Sequence, residues 1–298
     1  MGKQPNHFIL VASSILILSL FSGWVTDPFP VGHDPGMESD TLPHSAETYQ
    51  KEGVKGNLPV FYGDLAERLT FPMSWTSGKF SDFSQWKQMA RSKVMECMLY
   101  DPPEVPFSPE VIDEEDRGAY IAQKVVFNIS ADSRVLGYML IPKGKGPFPA
   151  VLLLHDHGGR FDIGKEKMIR PFNDSLKRLE SAAEWVELNY SGRFVGDELA
   201  KKGYICFATD ALNWGDRGGG GYEGQQALAS NLMYLGGSLA GVMAYEDMRA
   251  AEFLAGQPRI GPDKVAALGH SMGGYRAWMV SAALTDNCCA IMECNNVA

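Results

Sequence analysis

A serine between two glycines is the first candidate for chemistry in this chain of 298 residues. Residues 269–274 have the sequence Gly-His-Ser-Met-Gly-Gly, which fits the pattern Gly-x-Ser-x-Gly with Ser271 at its centre. Where a strand precedes the pattern and a helix follows it, the pattern predicts a sharp turn that lifts the serine hydroxyl above a sheet. Such a hydroxyl can attack a carbonyl carbon when an adjacent group accepts its proton. We therefore predict that Ser271 is a nucleophile.

A second glycine-containing segment is predicted to complete this site. The apolar run 149–154 is typical of a strand that is buried on both faces, and His-Asp-His-Gly-Gly follows it at 155–159. Acyl transfer needs two N–H donors that point at the developing oxyanion. We predict that one donor is Met272, the residue after the serine, and that the other is Gly158 or Gly159.

Three further residues are candidates for the lining of a substrate pocket. His157 lies in the second glycine segment, and Trp214 and Arg217 lie in the glycine-rich loop that follows the predicted strand 204–209. The alternative for this loop is a flexible segment with a local ion pair between Asp216 and Arg217. Because the loop has no Gly-Lys-Ser or Gly-Lys-Thr, nucleotide binding is excluded.

Structural roles are predicted for the other conspicuous side chains. Asp247 is expected to form a salt bridge between two helices, and residues 165–167, Lys-Glu-Lys, are expected to be a solvated face. His270 is expected to be buried beside the sheet. Trp278 and Met279, on the helix behind the serine, are expected to lie in the core.

Alternating strand and helix patterns position these segments. They predict an α/β fold with a mostly parallel sheet, helices on both faces and an N-terminal helical arm. Ligands bind such sheets at the carboxyl ends of the strands. The predicted strands are 121–129, 134–141, 149–154, 204–209, 264–268 and 288–293, and the predicted helices are 82–99 (capped by Ser81), 194–202, 225–254 and 273–284.

Composition and charge exclude several classes of function. The chain has 27 lysines and arginines against 36 aspartates and glutamates, and its net charge of −9 opposes a broad attraction to nucleic acid or anionic lipid. The five cysteines have no spacing that is typical of a zinc site or a disulfide scaffold. We therefore expect no metal and no nucleic-acid partner.

The N-terminal residues are predicted to direct export. Residues 1–3 include a lysine, and the apolar run 8–21 that follows is shorter than the roughly 20 residues of a membrane span. Residues 1–24 are thus a signal peptide or an anchor, 25–79 an extended arm, and 80–298 the main domain. The protein is expected to be secreted or periplasmic, with no stable membrane partner beyond a possible N-terminal anchor.

From about residue 80 to residue 298 the chain resembles the α/β-hydrolase superfamily. Its details resemble the bacterial dienelactone-hydrolase-like and acetyl-xylan-esterase-like branch, and the matching segments are 81–86, 155–160, 247–250 and 269–276. The resemblance implies a serine esterase that acts on small acyl groups. Its substrate would be a small-molecule or carbohydrate ester, with the acetyl decorations of plant polysaccharides as one candidate, and no cofactor is implied.

The chain departs from the superfamily after the serine. In that superfamily the acid and the histidine follow the nucleophile, but residues 272–298 contain Asp286 and Glu293 and no histidine. We expect the chain to be truncated after the strand that follows the nucleophile helix. His157 is the alternative base. The alternative functions are a non-catalytic α/β-hydrolase-like binding protein and a peptidase on the same scaffold.

Overall fold

The computed structural model describes residues 58–283 and 288–294, so the predicted signal or anchor 1–24 lies outside the described residues. The chain divides into two units, residues 1–70 and 71–298. The helices are α1 (Leu58–Arg68), α2 (Phe83–Met98), α3 (Leu176–Asn189), α4 (Val195–Lys201), α5 (Gly221–Tyr234), α6 (Leu239–Ala255) and α7 (Met272–Ala283). The strands are β1 (Glu110–Asp116), β2 (Tyr120–Asn128), β3 (Arg134–Pro142), β4 (Phe148–Leu154), β5 (Ile205–Thr209), β6 (Ile260–His270) and β7 (Cys288–Cys294).

The α/β class predicted from the sequence is confirmed, but the sheet is mixed. Its order is β1-β2-β3-β5-β4-β6-β7, with three antiparallel pairs followed by three parallel ones. Strands β2 and β3 are joined by only five residues, and so short a connection requires antiparallel pairing. The expectation of a mostly parallel sheet therefore holds for β5, β4, β6 and β7 only.

Strand β4 is covered on both faces, as its apolar run predicts. Leu152 and Leu154 pack in one apolar cluster, and Val151 and Leu153 pack in a second one. Successive side chains of a strand point to opposite faces, so the two clusters lie on opposite sides of the sheet. In the parallel register Leu154 of β4 pairs with Gly269 of β6, and this pairing brings the ends of the two strands together.

The helix predicted over 225–254 is two helices, α5 and α6, which meet at 94°. The break falls at Gly236, whose φ of +78° is unfavourable for other residues, and at its neighbour Gly237. Ser238 then caps α6 by accepting a hydrogen bond from the Gly241 N–H at 2.9 Å. Among the described residues no single helix is long and apolar enough to cross a bilayer; α5 and α6 reach that length and composition only as a bent pair.

Two N-terminal predictions are also wrong in detail. Helix α2 is capped by Asp82, whose Oδ1 accepts from the Gln85 N–H at 3.0 Å, and not by Ser81. The segment 25–79, predicted as an extended arm or linker, contains α1, and its residues 25–57 lie outside the described residues. Its Pro59 suggests a break, but proline is well tolerated in the first turn of a helix, where its missing N–H would have had no partner.

Candidate functional site

Ser271 lies at a sharp turn between a strand and a helix. Strand β6 ends at His270, helix α7 begins at Met272, and the intervening Ser271 is exposed to solvent with a φ of 55°. A positive φ is uncommon for a residue other than glycine, and it is held here by the structure around it. The turn that the glycine pattern predicts is therefore present, with the serine at its apex.

Two glycines allow this turn to pack against strand β4. A Cβ atom on Gly269 would lie 2.1 Å from the Gly273 carbonyl oxygen, and one on Gly273 would lie 2.0 Å from the Leu154 carbonyl oxygen. Both distances are far below van der Waals contact. The small residues beside Ser271 are thus required by close backbone approach, and they hold the serine next to the segment that follows β4.

The segment 155–159 supplies the second set of predicted donors. Gly158 and Gly159 both have a positive φ, of 54° and 65°. The Gly159 N–H donates to His157 Nδ1 at 3.1 Å, whereas the Gly158 N–H has no acceptor among the described residues. Met272 lies in the first turn of α7, where the helix itself offers its N–H no acceptor.

The ring of His157 is engaged at both nitrogens. Nδ1 accepts from Gly159, and Nε2 lies 3.0 Å from Gln225 Oε1, so the neutral ring carries its proton on Nε2. Its ring also packs edge-on against that of Trp214 and stacks on that of Tyr222. The Ser271 hydroxyl has no hydrogen-bond partner among the described residues. The structure therefore gives no support to His157 as the base.

Trp214 and Arg217, the other two pocket candidates, are held by internal contacts. Trp214 is fully buried, and its Nε1 donates to the His157 carbonyl oxygen at 3.3 Å. Arg217 donates to both carboxylate oxygens of Glu246, at 2.6 and 2.7 Å. The predicted pair between Asp216 and Arg217 is wrong, because Asp216 binds Lys165 and Arg178 instead.

The segment 165–167, predicted to be a solvated face, is fully buried. Lys165 Nζ lies 2.8 Å from Glu166 Oε1, 2.8 Å from Asp210 Oδ2 and 2.6 Å from Asp216 Oδ2. Burial disfavours the ammonium, but Asp210 and Glu166 outweigh it and raise the pKa of Lys165 well above its usual value. The three carboxylates lie close enough together to hold a metal ion, and this ammonium contacts all three.

Asp156 and Lys167 are site residues that the sequence reasoning missed. The Asp156 carboxylate accepts from the Tyr190 hydroxyl at 2.7 Å and from Trp185 Nε1 at 3.3 Å. Lys167 Nζ donates to the Asp156 and His157 carbonyl oxygens at 3.1 and 2.9 Å, and burial lowers its pKa. A signal was present, because Asp156 is the second residue after the end of the buried parallel strand β4.

The predicted salt bridge of Asp247 is confirmed. Arg276 of α7 donates to Asp247 of α6 through Nε at 2.8 Å and Nη2 at 2.6 Å, and both side chains are almost fully buried. Arg276 Nη1 also lies 3.4 Å from the His155 carbonyl oxygen. This one guanidinium therefore connects the nucleophile helix, the preceding helix and the start of the segment 155–159.

Two aromatic predictions near the serine differ from the structure. His270 is half-buried, with its ring edge-on to that of Tyr190. Trp278 was expected in the core, but it is 48% exposed because it lies on the same face of α7 as Tyr275, which is also exposed. Met279 packs against the apolar cluster of Met98, as expected.

His155 is a buried neutral imidazole in the structure. Its Nε2 accepts from the Ala211 N–H at 3.0 Å, and its Nδ1 lies 2.9 Å from the Asp156 carbonyl oxygen. Burial, with the nearby charges of Arg276 and Lys167, lowers the pKa of His155 well below its usual value. A proton on Nε2 would also remove the acceptor for Ala211.

We expect the unfolding free energy to fall as the pH is lowered below about 6.5, because His155 takes up a proton in the unfolded state but not in the folded state. The stabilisation is present above the unfolded pKa and is lost at lower pH, with a slope of about 1.4 kcal/mol per pH unit. Urea unfolding between pH 5 and 8 measures it. His155→Gln should flatten the slope below pH 6.5, and equal slopes for the two proteins would contradict the prediction.

Comparisons with known proteins agree with the geometry. Residues 61–296 match the model of a family described as the Abhydrolase family. The Bacillus subtilis (strain 168) protein named "Putative hydrolase YtaP" is 30% identical over 198 residues, which are 66% of this chain and 60% of that protein. A solved structure named as "a putative acetyl xylan esterase" from Bacteroides fragilis NCTC 9343 has the same fold, with 22% identity and a TM-score of 0.59 over 78% of this chain. The match covers 59% of that protein, so this chain spans about 60% of the length of each.

Proposed function

The chain belongs to the Abhydrolase family, and from this premise we propose that it hydrolyses carboxylic esters with Ser271 as the nucleophile. One observation carries the proposal: Ser271 is exposed at a strained turn between β6 and α7. A constrained, exposed hydroxyl at the carboxyl end of a parallel strand is placed for attack on a bound carbonyl group.

The reaction follows from the groups around the serine. Ser271 Oγ bonds to the ester carbonyl carbon while a base accepts the hydroxyl proton, and the carbonyl oxygen becomes an oxyanion. The Met272 and Gly158 N–H groups are the proposed donors to that oxyanion. The Gly159 N–H can donate to the oxyanion only if its hydrogen bond to His157 Nδ1 is broken. The base then donates that proton to the departing alkoxide, which leaves as the alcohol, and the acyl group that stays on Ser271 is removed by water.

The base is proposed to be a histidine other than His155 and His157. His155 is fully buried and accepts from Ala211, and His157 uses both ring nitrogens. The hydrogen bonds of both histidines therefore stabilise the conformation of the segment 155–159. Their role is to fix the backbone from which the second oxyanion donor comes.

The proposed substrates are esters with short acyl groups, including acetyl esters of carbohydrates. The name of the Bacteroides fragilis protein, which has the same fold, supports this class. We also propose export, because an apolar run follows a lysine near the N-terminus. No cofactor is needed for the steps described.

A substrate panel tests the proposal. We expect p-nitrophenyl acetate and butyrate to be hydrolysed with a higher kcat/KM than the octanoate ester or a peptide p-nitroanilide. Rapid quenching should leave an acetyl adduct on the peptide that contains Ser271. Faster cleavage of the anilide than of every ester would instead identify a peptidase, since the serine turn does not distinguish the two bond types.

A non-catalytic binding protein is the second candidate. It is favoured by the Ser271 hydroxyl, for which the described residues offer no hydrogen-bond partner, since an unassisted serine is a weak nucleophile. Absence of both hydrolysis and adduct in the panel, together with saturable binding of an acetylated oligosaccharide, would support this candidate and contradict the esterase.

A further inference from the structure

An apolar corner projects where α5 meets α6. We call Met233, Tyr234 and Leu235 the apex of this corner. They are 74%, 90% and 84% exposed, the three highest values among the large apolar side chains of the described residues. Isolated exposed apolar residues are ordinary on protein surfaces, but a contiguous group indicates an interaction site.

The corner is a bend between two helices, and the C-terminal end of α2 contacts it from one side through the Ser238 hydroxyl, which donates to the Met98 carbonyl oxygen at 3.0 Å. The helices diverge at 94° from the apex, and a Cβ atom on Gly237 would lie 3.4 Å from the Leu99 carbonyl oxygen. Leu99, the residue after α2, is itself 56% exposed. The Leu99 backbone therefore lies beside Gly237, two residues after the apex.

Charge is absent from the chain around the apex. Residues 224–245 contain no aspartate, glutamate, lysine, arginine or histidine, a run of 22 residues centred on Tyr234 and Leu235. A charged membrane or a charged protein partner would therefore find no opposite charge on this run of residues. The complementary environment is apolar and electrically neutral.

The size of the apex distinguishes between the neutral environments. A stable dimer buries about 800 Å² per partner, from some 20–30 residues on each side, and an apex of three side chains presents far less. A lipid interface is soft and closes around a projecting group. Amphipathic elements enter it to a depth of about 5–10 Å, and tyrosine is enriched at the level of the headgroups.

We propose that the apex of Met233, Tyr234 and Leu235 inserts into the interface of a neutral, zwitterionic phospholipid membrane and docks the domain there reversibly. The sequence predicts no stable membrane partner beyond a possible N-terminal anchor, and its net charge of −9 opposes attraction to anionic lipid. Zwitterionic headgroups do not oppose the chain in this way. The proposal is independent of the role of Ser271.

The corner is also continuous with the candidate site. Helix α6 begins at Leu239, four residues after the apex, and Leu239 and Met272 both pack against the cluster that includes Trp214. Docking through the apex would therefore hold the residue that follows the nucleophile close to the membrane surface.

Site-specific fluorescence tests the insertion. We expect the added tryptophan of Tyr234→Trp to shift to shorter wavelength with phosphatidylcholine vesicles and to be quenched by brominated phosphatidylcholine. Leu188→Trp is the matched control, because Leu188 is also highly exposed, at 72%, but lies on α3. Both tryptophan variants contain the apolar run 8–21, so any membrane binding through that run contributes equally to the quenching of the two added tryptophans. Equal quenching of the two tryptophans would overturn the proposal.

Vesicle sedimentation gives a second, independent measurement. Met233→Ser and Leu235→Ser should each weaken partitioning onto phosphatidylcholine vesicles about tenfold, whereas Leu188→Ser should not change it. Phosphatidylserine vesicles should bind the unmodified protein more weakly than phosphatidylcholine vesicles do. A dimer that forms without lipid and is lost on Leu235→Ser would show that a second copy covers the apex, and would also overturn the proposal.

Discussion

Ser271→Ala is expected to reduce ester hydrolysis by about 10⁴-fold or more, because removing the nucleophile of a serine hydrolase leaves only oxyanion stabilisation and substrate binding. The loss should lie in kcat, since the substrate still binds. Initial rates with p-nitrophenyl acetate measure it. The acetyl adduct on the peptide around residue 271 should disappear at the same time.

Ser281→Ala is the matched control on the same helix. Ser281 donates to the Ala277 carbonyl oxygen at 3.0 Å, ten residues beyond the turn, and has no proposed role in the reaction. Its replacement should leave the rate within about twofold. If Ser271→Ala keeps its activity, the proposed mechanism is wrong, whether or not Ser281→Ala loses activity.

Arg276→Met is expected to lower the unfolding free energy by about 3–5 kcal/mol, the largest effect on stability that we predict. Arg276 and Asp247 are 1% and 2% exposed, so the variant leaves an uncompensated carboxylate in the core. Urea unfolding measures the loss. Arg160→Met provides the comparison: its partner Glu184 is 61% exposed, and such a pair contributes about 0–1 kcal/mol.

The double variant Asp247→Leu with Arg276→Met tests the reason for this loss. It removes both charges together, so it should cost clearly less than the sum of the two single replacements. An additive result would show that the two side chains act separately. The His155 carbonyl oxygen, which Arg276 also contacts, is one source of residual cost in the double variant.

Local patterns in the sequence predict much of this fold. Every predicted strand is present to within four residues at each end, because continuous apolar runs such as 149–154 distinguish buried parallel strands. Strand β1 was missed because its sequence, Glu-Val-Ile-Asp-Glu-Glu-Asp, is that of a charged edge strand. Helix α3 was missed for lack of a recognised start, although Ser175 caps it.

Long-range pairing explains the errors at the candidate site. The sequence locates Ser271 and the segment 155–159, since each follows directly from a strand end. It does not show that Lys165 meets Asp210, because the two are 45 residues apart and a Lys-Glu-Lys segment is ordinarily solvated. The break at Gly236 was similarly overlooked, because isolated glycines are tolerated within apolar helical patterns.

The loop 210–217 is held by a cation that belongs to the chain itself, the buried ammonium of Lys165. Bound cations that neutralise clustered carboxylates leave when their free concentration falls, and the segments they hold then loosen. A counterion that is covalently part of the chain cannot be diluted away or exchanged. The segment from Asp210 to Asp216, which Lys165 contacts at both ends, therefore does not depend on a dissociable cation for the charge that Lys165 supplies.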